Sequence, residues 1–220
     1  MKHFPAISID NFYDNADDVR KFALSQTYTA PLLGEYPGLC TESLHEIDQE
    51  FTQKFCYKLF SLFYNFNNEQ VNWEITTYFQ KITPYENPRT NVGWTHMDDN
   101  TILAGLIYLT PGAGLDSGTS LLSIKEGERA SPDYKIKCNF YKNETADIDQ
   151  YIRSVEEHND KFIETTRFNN VYNTLVAYPG ETYHRANNFD CGQRERLTQV
   201  FFVNRIHTVA TPIERSKIGG

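Results

Sequence analysis

Between Val71 and Val203 the chain is cut into short apolar runs, each closed by a turn signal, and this limits the folds open to it more than any other feature. The runs are Trp73-Glu74-Ile75-Thr76-Thr77-Tyr78-Phe79, Ile102–Leu109, Ser120–Ile124, Leu175–Tyr178 and Leu197–Val203. Pro111-Gly112, Gly114, Asp116-Ser117-Gly118 and Pro179-Gly180 separate them. Runs of this length are too short for helices but suit strands, and Ile102–Leu109, nearly continuously apolar, suits a strand buried on both faces. Helical segments do not alternate with these strands, so βαβ units are disfavoured and a sandwich or jelly roll is expected. Composition agrees: 15 Phe and 14 Tyr, against 2 Met and 2 Trp, favour pleated surfaces.

The first 70 residues follow a different period. Phe4–Ile9 alternates weakly, as an edge strand does. Asp14 or Asn15 offers an N-cap to a helix with Val19, Phe22 and Ala23 on one face. After a loop marked by Pro31, Gly34, Pro37 and Gly38, Ser43 and Glu46 have capping-box spacing. Leu44, Ile47, Phe51, Phe55, Leu59 and Leu62 then recur at helical intervals, predicting one long amphipathic helix to about Asn65 that packs across a sheet. Residues 125–170 form a polar insertion with a short helix near Asp147–Asp160; such a segment serves as a lid, as decoration or as an oligomer contact. Residues 211–220 read as a polar tail. A length of 220 residues suits one domain, with 1–70 as helical support and 71–210 as a β core carrying the insertion.

Charge and cysteine usage exclude several classes. A net charge of -8 without a basic stripe argues against nucleic acid as a partner. Cys40, Cys56, Cys138 and Cys191 are scattered without CxxC spacing, so neither a disulfide framework nor a zinc knuckle is expected. The N-terminus lacks the apolar run of a signal peptide, and no stretch approaches the roughly 20 apolar residues that span a bilayer. The expectation is a cytoplasmic protein with reduced thiols and no membrane partner.

The chemistry is concentrated in His96-Met97-Asp98, His184 and Arg196-Leu197-Thr198. Side chains at i and i+2 of extended backbone share a face, so His96 and Asp98 project together while Met97 points away. The turn after Tyr178 can bring His184 to them. Two imidazoles and a carboxylate on one face of an octahedral metal form the facial triad of non-heme Fe(II) oxygenases. Arg196 and Thr198 also share a face; a guanidinium fork with a neighbouring hydroxyl suits the distal carboxylate of a diacid chelated by that metal. Arg194, on the same side by alternation, competes with Arg196 for this role. His3, His45, His158 and His207 lack such company and are read as structural.

These residues resemble the Fe(II)- and 2-oxoglutarate-dependent dioxygenases, and among them the prolyl-4-hydroxylase-like branch with its bacterial and phage members. The likeness spans roughly Trp73–Val203 and rests on Gly93-Trp94-Thr95-His96-Met97-Asp98, Leu106-Ile107-Tyr108-Leu109, Ser117-Gly118-Thr119-Ser120, His184 and Arg196-Leu197-Thr198. It implies a mainly β fold with flanking helices: a double-stranded β-helix (jelly roll, cupin-like) core with N-terminal α-helices packed on it. It also implies that His96, Asp98 and His184 bind and activate iron and that Arg196 pairs with the C5 carboxylate of 2-oxoglutarate. Tyr108 is either a hydroxyl reaching that carboxylate or a core aromatic. Thr198 fits an Arg-x-Ser/Thr pattern of other branches. The implied activity is hydroxylation of a peptidyl residue, amino acid or small metabolite, with Fe(II) and O2 required, 2-oxoglutarate converted to succinate, and ascorbate as a stimulant. Asp98 favours hydroxylation over halogenation, because related halogenases carry a small residue there. Arg196 in place of a frequent lysine, and Ser117-Gly118 in place of Gly-Gly, depart from the prolyl hydroxylases and weaken proline as the substrate.

Two other functions compete. A non-catalytic cupin-like module would keep a metal as structure. An AlkB-like nucleic-acid demethylase would need a second arginine at that family's spacing after Arg196, and would sit badly with the acidic balance.

Overall fold

The computed structural model describes residues 4–142, 147–192 and 194–213; of the expected tail, 214–220 lie outside the described residues. In chain order the elements are β1 (Ile7–Ile9), α1 (Ala16–Leu24), β2 (Leu39–Cys40), α2 (Leu44–Ile47), α3 (Gln49–Ser61), β3 (Asn72–Ile82), β4 (Leu103–Tyr108), β5 (Thr119–Ile124), α4 (Tyr134–Tyr141), α5 (Ile148–Asn159), β6 (Phe162–Phe168), β7 (Leu175–Tyr178), β8 (Tyr183–Ala186) and β9 (Arg196–His207). They build two antiparallel sheets, one ordered β1-β7-β4-β9-β3-β2 and one ordered β6-β5-β8.

Side-chain alternation divides the larger sheet between two jobs. Leu103, Ile107, Leu175, Ala177, Leu197, Phe201 and Val203 face the helices and pack with Val19 and Ala23 of α1 and Phe55, Leu59 and Phe60 of α3. The Phe55 and Phe201 rings meet at 5.6 Å between centroids. The intervening residues, Ala104, Leu106, Tyr108, Val176, Tyr178 and Val200, face the smaller sheet and pack with Leu121 of β5. Every residue of β4 is therefore buried, which is the physical reason its sequence is apolar without alternation.

The long helix expected from Leu44 to Asn65 is interrupted. Asp48 adopts extended backbone (φ -154°, ψ 100°) between α2 and α3, and its carboxylate accepts from the Phe51 amide as the cap of α3. Local capping there outweighs continuation of the apolar period, while Ser43 makes no side-chain cap. Asn15, one of the two expected caps, precedes α1 without a side-chain hydrogen bond. The stretch 125–170 contains more order than its polarity implied. It carries α4, α5 capped by Asp147, and β6, whose burial pattern is almost wholly exposed. An edge strand with little buried surface leaves no apolar alternation to read.

Candidate metal and co-substrate site

Residues 93–98 run alongside β8 as an added rank of the smaller sheet. Gly93 N donates to Ala186 O at 3.0 Å, and Asp98 N to Gly180 O at 3.0 Å. His96 and His184 exchange both backbone hydrogen bonds, at 3.1 and 2.9 Å. Directly paired residues point to one face, so the two imidazoles meet, with ring centroids 4.3 Å apart. Asp98, two residues on, returns to that face, while Met97 is exposed. His184 reaches this place because the chain leaves the larger sheet after Tyr178 and turns at Pro179-Gly180, where Thr182 N donates to Pro179 O. Gly180 is required by packing: a Cβ there would lie 2.2 Å from the Thr101 carbonyl oxygen.

One donor atom from each of His96, Asp98 and His184 lies within 4.8 Å of the others. His96 Nε2 is 3.7 Å and His184 Nε2 3.4 Å from the Asp98 carboxylate. Both Nδ1 atoms are committed elsewhere, to Trp94 O at 2.8 Å and Thr182 O at 2.9 Å. A carbonyl only accepts, so each Nδ1 carries the proton and each Nε2 presents a lone pair toward Asp98. This explains why the buried Asp98 Oδ2 has no hydrogen bond despite its close imidazole neighbour. Burial lowers the His184 imidazole to about 4; burial and then His184 lower His96 to about 4, although His96 opens 46% of its side chain to the cavity. Burial raises the Asp98 carboxyl, against the pull of His96. Two neutral imidazoles and a carboxylate short of a positive partner fit a divalent cation, which supplies the missing charge.

Arg196 opens β9 and is 2% exposed. Its Nε donates to Ser117 O at 3.1 Å, its guanidinium lies 5.6 Å from the Tyr108 ring centroid, and its Nη2 makes no hydrogen bond among the described residues. Thr198 Oγ1, fully buried, also has no hydrogen-bond partner among the described residues. Two unsatisfied buried groups, one of them cationic, fit an anion with oxygen acceptors. Of the two candidate arginines, Arg194 is exposed and donates to Pro111 O at 3.0 Å, so only Arg196 lines the cavity. The Tyr108 hydroxyl donates to Thr119 Oγ1 at 2.9 Å. Its ring is fully buried, and the Arg196 guanidinium lies over it.

The His96–Asp98–His184 cluster and Arg196 line one cavity of about 610 Å³, walled by Trp94, Leu106, Tyr178 and Val200 among others. That size lies within the ~300–1,000 Å³ range of ligand pockets. The segment bearing His96 is clamped from behind by the end of α5. Asn159 Oδ1 accepts from Thr95 N at 2.9 Å and Thr95 Oγ1 at 2.8 Å, and its Nδ2 donates to Gly93 O at 3.0 Å. His158 Nε2 donates to Thr95 O at 2.8 Å, and Trp94 Nε1 to the Tyr151 hydroxyl at 3.2 Å. Sequence reasoning missed Asn159, treated His158 only as a structural histidine, and had no signal pairing α5 with residues 93–95. Only the i, i+3, i+7 spacing of Tyr134, Lys137 and Tyr141, which places all three on the cavity, was there to be read.

Among the described residues no helix is long and apolar enough to cross a membrane, and all four cysteines are buried and unpaired.

Solved structures share this fold at low identity. HygX from Streptomyces hygroscopicus, solved with nickel and 2-oxoglutarate bound, superposes with a TM-score of 0.54 at 9% identity, over 90% of this chain and 82% of its own. A prolyl hydroxylase from Trichoplax adhaerens, in complex with a hypoxia inducible factor peptide fragment, gives 0.53 at 10% identity over 90% and 82%. EvdO2 from Micromonospora carbonacea var. aurantiaca gives 0.53 at 12% identity over 96% and 91%. No curated protein matches by sequence. Residues 1–191 match a protein family of unknown function, DUF6445, and the chain belongs to that family.

Proposed function

We propose that this protein is an Fe(II)- and 2-oxoglutarate-dependent dioxygenase, acting as a hydroxylase on a double-stranded β-helix of which the two facing sheets form the core. The observation that carries this reading is the joint lining of one cavity by a convergent His-Asp-His cluster and a buried arginine with an unsatisfied Nη2. HygX, which shares the fold, binds nickel and 2-oxoglutarate, and this supports the same pair of ligands here.

In this reading His96, Asp98 and His184 hold the iron, and the Trp94 and Thr182 carbonyls keep the protons of both imidazoles on Nδ1. Bound Fe(II), with O2 and 2-oxoglutarate, supplies the oxidising power for hydroxylation as 2-oxoglutarate is converted to succinate and carbon dioxide. Arg196 and Thr198 receive the distal carboxylate of 2-oxoglutarate. Ser117 O fixes the arginine through Nε and leaves Nη2 for the ligand. Tyr108, anchored on Thr119, closes the pocket beside the guanidinium. Leu106, Tyr178 and Val200 exclude water from the reacting centre, which strengthens each of these electrostatic contacts.

The test is anaerobic titration of 2-oxoglutarate into the Fe(II) protein, followed by exposure to air with ascorbate and measurement of succinate. A visible charge-transfer band is expected on titration, with slow succinate formation even without substrate. His96→Ala abolishes the band. Absence of both band and succinate in the parent protein refutes the reading.

A further inference from the structure

The cavity contains a second cation that the co-substrate does not use. Lys137 lies on α4, and Tyr134, Lys137 and Tyr141 stand at i, i+3 and i+7, so a single helix face is turned to the cavity. Beside this stripe runs the loop of Glu35, Tyr36 and Pro37, also on the cavity wall. The loop and α4 are locked together at Gly34, which has φ +71° and where a Cβ would lie 2.4 Å from the Cys138 carbonyl oxygen. Tyr36 stacks on Tyr78 with centroids 6.3 Å apart. Tyr36, Tyr134 and Tyr141 thus form an aromatic part of the cavity lining, and its cation is Lys137.

Among the described residues the Lys137 ammonium makes neither a hydrogen bond nor an ion pair; its Nζ lies 5.5 Å from the Tyr134 ring centroid. Burial works against that charge, and Cys138, Glu35 and Asp98 partly offset the effect. A half-buried ammonium without a polar partner costs stability unless a ligand supplies one.

We propose that Lys137 is a specificity residue that anchors a carboxylate of the primary substrate, so that the enzyme acts on carboxylate-bearing small molecules whose apolar or aromatic body rests against Tyr36, Tyr134 and Tyr141. This rests on the dioxygenase reading of the same cavity. Arg196 serves the co-substrate at the buried end, and Lys137 serves the substrate at the mouth. A carboxylate is favoured over a phosphate because Glu35 and Asp99 line the same cavity, and a dianion near two carboxylates is penalised more than a monoanion. A single ammonium also lacks the fork that planar, bidentate phosphate recognition uses.

The test measures probe binding by calorimetry, under anaerobic conditions, to the protein loaded with Fe(II) and 2-oxoglutarate. The probes are matched sets that share one body: N-acetyl-tyrosine, N-acetyl-leucine and N-acetyl-phenylalanine, their carboxamides, and phosphate monoesters of the same bodies. The parent is expected to bind at least one carboxylate about tenfold or more tighter than its carboxamide and its phosphate, the size of one charge-assisted hydrogen bond. Lys137→Gln removes that preference and Lys137→Arg restores most of it, while 2-oxoglutarate binding and its charge-transfer band stay within about twofold in both variants. A parent that binds no carboxylate preferentially, or prefers phosphates, overturns the assignment. So does a Lys137→Gln protein that keeps the preference, or one that loses 2-oxoglutarate instead. Failure of the band in the parent strikes the dioxygenase reading itself, so the two failures are told apart.

Discussion

Replacing Arg196 with methionine separates a ligand-binding arginine from a structural one, because the two roles predict opposite signs for stability and affinity. Arg196 is 2% exposed; among the described residues its Nε donates to Ser117 O at 3.1 Å, its guanidinium lies against Tyr108, and its Nη2 has no hydrogen-bond partner. Methionine loses that bond, roughly 1.5–3 kcal/mol, but also removes a desolvated cation whose burial costs a comparable amount. The folded, unliganded protein should therefore stay within about 1 kcal/mol of the parent. Binding behaves differently. Truncating one partner of a buried, hydrogen-bonded charge pair costs ~2–5 kcal/mol, or roughly 30- to 4,000-fold in affinity. With Mn(II) as a metal that does not turn over, and 2-oxoglutarate at 100 times the parent's Kd, ligand linkage adds ~2.7 kcal/mol, which for a chain of this size raises Tm by about 5–11 °C. At the same concentration a variant weakened 30-fold gains at most about 0.9 kcal/mol, or about 2–4 °C. Thermal melts with and without 2-oxoglutarate read both quantities. An Arg196→Met protein that melts well below the parent yet keeps the full ligand-induced shift would show that the guanidinium holds the fold and not the diacid.

Three further outcomes follow from particular contacts. Asn159→Ala breaks three hydrogen bonds to residues 93 and 95 and should cost about 2–3 kcal/mol in urea melts and ~10- to 100-fold in metal affinity, whereas Glu156→Gln, at an exposed ion pair with Arg89, should cost under about 1 kcal/mol and leave the metal unaffected. His184, 5% exposed and held neutral with its imidazole lowered to about 4, takes up a proton more readily when unfolded; the metal-free protein should therefore lose stability as pH falls from about 6.5 toward 4, by roughly 3 kcal/mol when complete, and His184→Gln should flatten that slope in calorimetric melts between pH 7 and 4.5. Asp48→Ala removes the cap on the Phe51 amide and should lower stability by about 1 kcal/mol in denaturant melts with no change in metal binding; an unchanged melting curve would mean that the break between α2 and α3 does not depend on this cap.

The sequence by itself determined the elements whose periodicity is set by burial on a known face. β4 and β7 were legible because both of their faces are covered, and a doubly buried strand is largely apolar; β9 was legible over Leu197–Val203 although it also buries Arg196, Thr198 and Gln199. The candidate cluster was legible too, because His96 and Asp98 stand two apart on extended backbone and so share a face. Tertiary structure decided everything that depends on contacts between segments far apart in the chain. Polar β6 is a strand because β5 offers it an edge. Arg196 was separated from Arg194 only by which of them the fold buries. Asn159 and Lys137 carry no motif, since a polar residue acquires a role from what it is brought against, and alternation along one strand or helix says nothing about the partner on the other side.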